Sequence, residues 1–143
     1  MRDAGIAPDL LAVRASITGI HAAISASASD IVALAWDMPF VPPSLIAGMI
    51  ARAGRSANWS AVVPIVDGKP ESLCAAYNKR AAGAIAEAVQ RGILKNSDVL
   101  ATLPNVIWLD EGDLTAFGDP AVMFFNVNTP SDLRRAEEIA RTL

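Results

Sequence analysis

The sequence predicts one α/β domain built around a mainly parallel sheet, and three observations lead there. Its 143 residues fall within the roughly 100 to 200 residues typical of one domain, so residues 1–143 read as a single unit. Hydrophobic residues make up 52% of the chain and charged residues 19%, which is enough apolar material for a continuous core. Short β-rich runs alternate with longer stretches of helical period, the pattern of βαβ units around parallel strands.

Residues 31–35 form a continuous apolar run, as expected of a strand buried on both faces, and the run stops abruptly at Asp37-Met38-Pro39. Pro42 and Pro43 then open a helix, with Leu45, Ile46, Met49 and Ile50 recurring on one face before Gly54 ends it. Residues 61–66 and 71–77 read as extended segments joined by a turn at Asp67-Gly68, because this dipeptide readily supplies positive φ. Pro64 places part of the first segment at an edge or a bulge. Residues 79–92 carry Ala81, Ile85, Ala88 and Val89 at helical spacing and end on glycine. Residues 97–103 read as a short helix capped by Asn96 or Ser97, and residues 106–109 as another strand. Near the end, Thr129 caps the helix that Pro130 begins, and Asp132 completes a capping box in place of the usual Glu. Leu133, Ala136, Ile139 and Leu143 are the stripe this helix is expected to bury.

Charge and cysteine usage exclude several classes of function. Twelve Lys and Arg stand against 15 Asp and Glu, a net charge of -3, so there is no broad cationic surface to neutralise a nucleic-acid backbone. The single cysteine, Cys74, excludes an internal disulfide and a multi-thiolate zinc site. No apolar run reaches the ~18 residues needed to span a membrane. The first 28 residues contain Asp3 and Asp9 and lack the apolar core of a signal peptide. A soluble protein of the reducing cytoplasm is expected, without nucleic-acid or membrane partners, and Asn58-Trp59-Ser60 is read as a chance match to the glycosylation pattern.

In open α/β sheets, ligands collect beyond the carboxyl ends of the parallel strands, and Asp37 lies just past the end of the best-defined strand. A carboxylate there suits Mg²⁺, which binds through one or two carboxylates together with substrate phosphates. A turn residue before Met38-Pro39 is the other reading, and spacing alone leaves both open. His21, the only histidine, has no acid and nucleophile arranged around it and reads as a helix-surface residue. Cys74, between Leu73 and Ala75, reads as a small buried apolar group, and Trp36, Trp59 and Trp108 as core.

Four segments in order resemble the molybdenum cofactor guanylyltransferases. Residues 35–43, AWDMPFVPP, resemble that family's metal-binding strand end. Residues 19–24, GIHAAI, are similar to its "GPLAGIHAAL" helix start, residues 67–77 to its "DGRPEPLCAVY" segment, and residues 125–133 to its "FxNVNTPEDL" ending. The resemblance implies a three-layer, Rossmann-like nucleotidyltransferase fold, GTP and Mg²⁺ as ligands, and molybdopterin or molybdenum-molybdopterin as acceptor. It further implies the metal-binding aspartate at Asp37, with Asn126 and Asn128 near the active site and Asn128 grouped with Asp37 as catalytic. Asp9 would contact the nucleotide, Gly19 would allow close backbone approach or simply start a helix, and Lys69 and Glu71 would lie in the pterin-side loop. A molybdoenzyme or another cofactor-biosynthesis protein is the protein partner that such a role suggests.

The departures are as specific as the matches. The family opens with a strand and a glycine-rich loop of the form "LAGGxSxRxGxxK", which holds the triphosphate, and this sequence has no counterpart to it. The fold is therefore expected to be incomplete at its N-terminus, corresponding to the C-terminal portion of the family fold. Residues 15–18, ASIT, stand where the family usually has Gly-Pro-Leu-Ala, and Trp36 replaces a small residue. Two classes of function follow: GMP transfer from GTP to molybdopterin with release of pyrophosphate, and a non-catalytic remnant that binds molybdopterin or a nucleotide. A related molybdopterin cytidylyltransferase is a variant of the first.

Overall fold

The computed structural model describes residues 17–27, 29–35 and 37–143. Asp9 and Trp36 lie outside the described residues. Helix α1 (Ile17–Ala26) buries Ile17, Ile20 and Ile24, a spacing that keeps one helical face against the core. Strand β1 (Ile31–Leu34) follows, as the apolar run predicts. Helix α2 (Pro43–Gly54) starts where its prolines place it, with Pro42 extended at the N-cap and Pro43 at the first helical position. Its buried residues are Leu45, Met49 and Ala53, each one turn apart, whereas Ile50 lies round the helix from them and is 57% exposed, against expectation.

Strand β2 (Ala61–Val66) turns at Asp67 and Gly68, which take φ of 52° and 76° as an Asp-Gly turn should, into the short β3 (Lys69–Pro70) and then β4 (Cys74–Tyr77). Helix α3 (Ala81–Gln90) stops just before Gly92, at φ 83°, and α4 (Asn96–Thr102) and β5 (Val106–Leu109) follow. The N-cap of α4 is Lys95, not Asn96 or Ser97, and it makes no side-chain capping bond. Asn96 instead donates from its amide to the Ser72 hydroxyl at 3.0 Å, a tertiary bond that takes the place of the local one. Two short helices, α5 (Glu111–Thr115) and α6 (Pro120–Met123), precede α7 (Pro130–Thr142). The expected capping box of α7 is present: Asp132 N–H donates to Thr129 Oγ1 at 3.0 Å, and Thr129 N–H donates to Asp132 Oδ2 at 3.2 Å.

In the sheet β4 pairs antiparallel with both β1 and β2, while β2 pairs parallel with β5. Strands β1, β2 and β5 therefore share one direction, with β4 set against them. Pro64 lies inside β2, between β4 and β5, where a strand proline would be unwelcome if its partner demanded an N–H. Its neighbour makes no such demand. The register shifts between Val66↔Lys69 and Val62↔Ala76, so residues 71–73 bulge out opposite Pro64, whose carbonyl accepts from Glu71 N–H at 2.9 Å. The bulge reading of Pro64 holds, and the edge reading does not.

Side chains alternate across the strands and build two apolar layers. On one face α1, α3 and α4 cover Ala33, Ala61, Val63, Ala75 and Tyr77. On the other, α2, α5 and α6 cover Val62, Cys74, Ala76 and Leu109, giving the three-layer architecture the sequence led us to expect. At the amino end of β1 Lys79 straps down the end of α1, its ammonium donating to the carbonyls of Ile24 at 2.8 Å and of Ser27. The carboxyl end of α1 is thus fixed at the amino end of β1, and Gly19 in its first turn is buried. Helix α7 departs from expectation: of its predicted stripe only Ala136 is buried, while Leu133 is 54% and Leu143 79% exposed. Among the described residues no layer lies opposite them.

Candidate functional site at the strand carboxyl ends

Each of the three co-directional strands is followed by an acid: Asp37 after β1, Asp67 after β2 and Asp110 after β5. Two of them have structural duties. Asp110 caps α5, accepting from Asp113 N–H at 2.8 Å, while Asp113 accepts from Asp110 N–H at 3.0 Å. That backbone bond, with Arg52 3.5 Å away adding to it, holds the Asp113 carboxyl below its usual range. Asp67 is an exposed turn residue at positive φ. Asp37 is half-buried, and its carboxylate makes no hydrogen bond to any described residue.

Two further segments converge on Asp37. Val127 N–H donates to the Asp37 carbonyl at 2.8 Å, which ties the chain carrying Asn126 and Asn128 to the end of β1. Both asparagines are exposed, and Asn128 N–H donates to Asp132 Oδ2 at 3.1 Å, so its backbone is held by the α7 cap while its side chain is left for other partners. The bulge brings up Glu71. Its carboxyl is raised above the ordinary value, first by burial and then by the negative charge of Asp37. Glu71 also joins burial in pushing the thiol of the enclosed Cys74 up to about 12, so Cys74 is the inert apolar group its neighbours suggest. Behind the bulge the Tyr77 hydroxyl donates to the Ser72 carbonyl at 2.6 Å and fixes its shape. Lys69 is exposed on β3, on the hairpin side of the bulge.

The Asp37–Glu71 relation has a measurable consequence. A carboxyl whose native pKa is raised contributes stability that is fully present below the unfolded value and is lost as pH rises through the native one. Glu71→Gln is therefore expected to parallel wild type in acid and to become the more stable protein toward neutral pH. Thermal melts of both across that range test it, and an unchanged difference at every pH would show that Glu71 carries no such penalty.

An open groove of about 530 Å³ adjoins Asp37, bounded by Phe40, Val127, Leu133 and Glu137 among others. Phe40 and Glu137 escaped the sequence reading. Phe40 stands within the segment that carries Asp37 and was passed over beside it, and Glu137 has no signal in the sequence beyond its place one turn after Leu133. Among the described residues, no Lys or Arg lines the groove. Among the described residues no three His, Cys, Asp or Glu cluster as a metal centre, and no helix is long and apolar enough to cross a membrane.

Residues 2–106 match the family described as the MobA-like NTP transferase domain. The chain belongs to that family. A "Probable molybdenum cofactor guanylyltransferase" of Pelotomaculum thermopropionicum is 36% identical over 136 residues, covering 94% of this chain and 64% of the relative. The molybdenum cofactor guanylyltransferase of Desulfosudis oleivorans is 31% identical, over 94% of this chain and 66% of its own length. Among solved structures, molybdopterin-guanine dinucleotide biosynthesis protein A of Archaeoglobus fulgidus superposes with a TM-score of 0.75 at 38% identity, covering 90% of this chain and 64% of that one. This MobA-like domain thus spans about two thirds of the length of the curated relatives it matches. Its fold is that of the family, and Asp37, Glu71, the segment of Asn126 and Asn128 and the groove lie at or beside the carboxyl end of β1.

Proposed function

We propose that this chain forms the metal- and acceptor-binding side of a cytoplasmic guanylyltransferase site, which moves GMP from GTP to molybdopterin. The observation that carries the reading is the convergence on one strand end of the uncapped Asp37, the half-buried Glu71 and the segment of Asn126 and Asn128. In the transfer, a phosphate oxygen of molybdopterin bonds to the α-phosphorus of GTP as the bond to the departing pyrophosphate breaks. Mg²⁺ supplies neutralising charge on the phosphates when bound. A carboxyl at Glu71 close enough to feel the negative charge of Asp37 suits such a cation, so Asp37 would hold it with Glu71 in support. Asn128 and Asn126 offer amide donors and acceptors to the reacting groups, and the groove beside Phe40 offers an apolar wall for the acceptor. Toward the nucleotide, Gly19 in the first turn of α1 permits close backbone approach, and Lys69 lies near the acceptor side.

The decisive experiment titrates GTP with and without Mg²⁺ against wild type and Asp37→Asn. Wild type is expected to bind more tightly with Mg²⁺, and Asp37→Asn to lose that gain. An equal gain in both would remove Asp37 from the metal site. A second reading, binding without turnover, is favoured by one observation: among the described residues no cationic side chain lines the groove beside Asp37.

A further inference from the structure

The bulge that brings Glu71 up to Asp37 is anchored at each of its three residues. Glu71 N–H donates to the Pro64 carbonyl at 2.9 Å, and its own carbonyl accepts from Cys74 N–H at 3.1 Å. The Leu73 carbonyl accepts from Ala35 N–H at 2.7 Å, just past the end of β1. Between them Ser72 is held by two side chains. Its carbonyl accepts from the Tyr77 hydroxyl at 2.6 Å, and its hydroxyl accepts from the Asn96 amide at 3.0 Å. Tyr77 is fully enclosed in the layer of α1, α3 and α4, and Asn96 opens α4. Met38, the neighbour of Asp37, packs in the opposite layer. The hold on Ser72 therefore reaches the bulge from the far face of the sheet.

Such a hold has a force to oppose. Glu71 is half-buried, and both its burial and the charge of Asp37 work against its ionisation. A carboxylate on a flexible stem relieves that cost by turning out to water unless its backbone is fixed. The enclosed Tyr77 ring has no room to swing away from Ser72, and its hydroxyl would be left desolvated without an acceptor. Burial also pushes that hydroxyl well above its ordinary pKa, so it stays a donor.

We propose that Tyr77 and Asn96 are positioning residues for the metal site: acting through Ser72, they fix the bulge so that the Glu71 carboxylate stays beside Asp37 and supports the same cation. Neither side chain touches the cation or the substrates. The step rests on the Asp37 site proposed above, and it assigns to the layer of α3 and α4 a part in that site.

The test titrates GTP into the 143-residue chain with and without Mg²⁺ and reads the gain in affinity that Mg²⁺ gives. Glu71→Gln is expected to lose part of the gain. Tyr77→Phe, which removes one oxygen and keeps the ring, should lose as much of it as Glu71→Gln does, while its affinity for GTP without Mg²⁺ stays that of wild type. Asn96→Ala should act in the same direction and keeps the test open should Tyr77→Phe misfold. Combined with Glu71→Gln, neither variant should lose anything more, because the bulge then has no carboxylate to deliver. Losses that add to that of Glu71→Gln, or that appear equally without Mg²⁺, would mark a merely structural role and overturn the proposal. An undiminished gain in Tyr77→Phe and Asn96→Ala would overturn it as well. The two readings fail differently. If Asp37→Asn keeps the gain, the Asp37 site falls and this step with it, whereas a loss in Asp37→Asn beside an intact gain in Tyr77→Phe and Asn96→Ala removes this step alone.

Discussion

Incubated with GTP, Mg²⁺ and molybdopterin, the 143-residue chain is expected to release pyrophosphate many orders of magnitude more slowly than a whole-length relative. Nucleotidyl transfer depends on donors and positive charge fixed around the phosphates, and losing one such donor costs about 10²–10³ in rate. The side of the cleft that this chain supplies is carboxylate, amide and apolar surface. Among the described residues, Arg52 faces Asp113, Lys79 straps α1 at the amino end of β1, away from Asp37, and Arg80 donates to the Ala57 carbonyl at 2.9 Å. Losing two phosphate contacts together would multiply to about 10⁴–10⁶, or ~5–8 kcal/mol of transition-state stabilisation. A pyrophosphate-release assay decides the matter, and brisk turnover by the chain alone would mean that it holds triphosphate with residues not named here.

The second large effect concerns the layer that supports the site. Leu45 on α2 is fully enclosed with Met38, Trp59, Leu109, Met123 and Phe124, so Leu45→Ala should cost about 2–5 kcal/mol through lost burial and the cavity left behind. Met38 is the residue next to Asp37, so the same cavity should loosen the strand end as well as lower stability. Ile50→Ala on the same helix is the control: Ile50 is 57% exposed, and its replacement should change stability little. Urea unfolding of the two variants checks the contrast, and similar losses would mean that the site-side core is not packed around Leu45.

How much of this was legible in the sequence depended on whether local chemistry or a distant partner decided the outcome. The strand over Ile31–Leu34, the Asp67-Gly68 turn, the proline start of α2 and the reciprocal Thr129–Asp132 cap are set within a few residues, and sequence patterns caught them. The family resemblance, carried by four short segments, was legible for the same reason, and the matched relatives agree with it. Tertiary partners decided the rest. Asn96 left its capping role for Ser72, Pro64 stayed inside the sheet because a bulge removed the need for its N–H, and the direction of β4 had no local signal at all. The stripe on α7 was read correctly as apolar and wrongly as buried, because periodicity says which face a helix would bury and nothing about whether a layer lies against it. At the site, Asp37 could be found by its place after a strand, whereas the approach of Glu71 to it depends on a bulge that no short-range pattern announces.

The single thiol gives the sheet a built-in clock. Cys74 begins β4, the strand that joins β1 to β2, and it is both walled in and held protonated far above neutral pH. A thiol reagent can reach it only after β4 has opened, so the pace of labelling counts the openings of the one strand on which the cohesion of Asp37, Glu71 and the rest of the sheet depends.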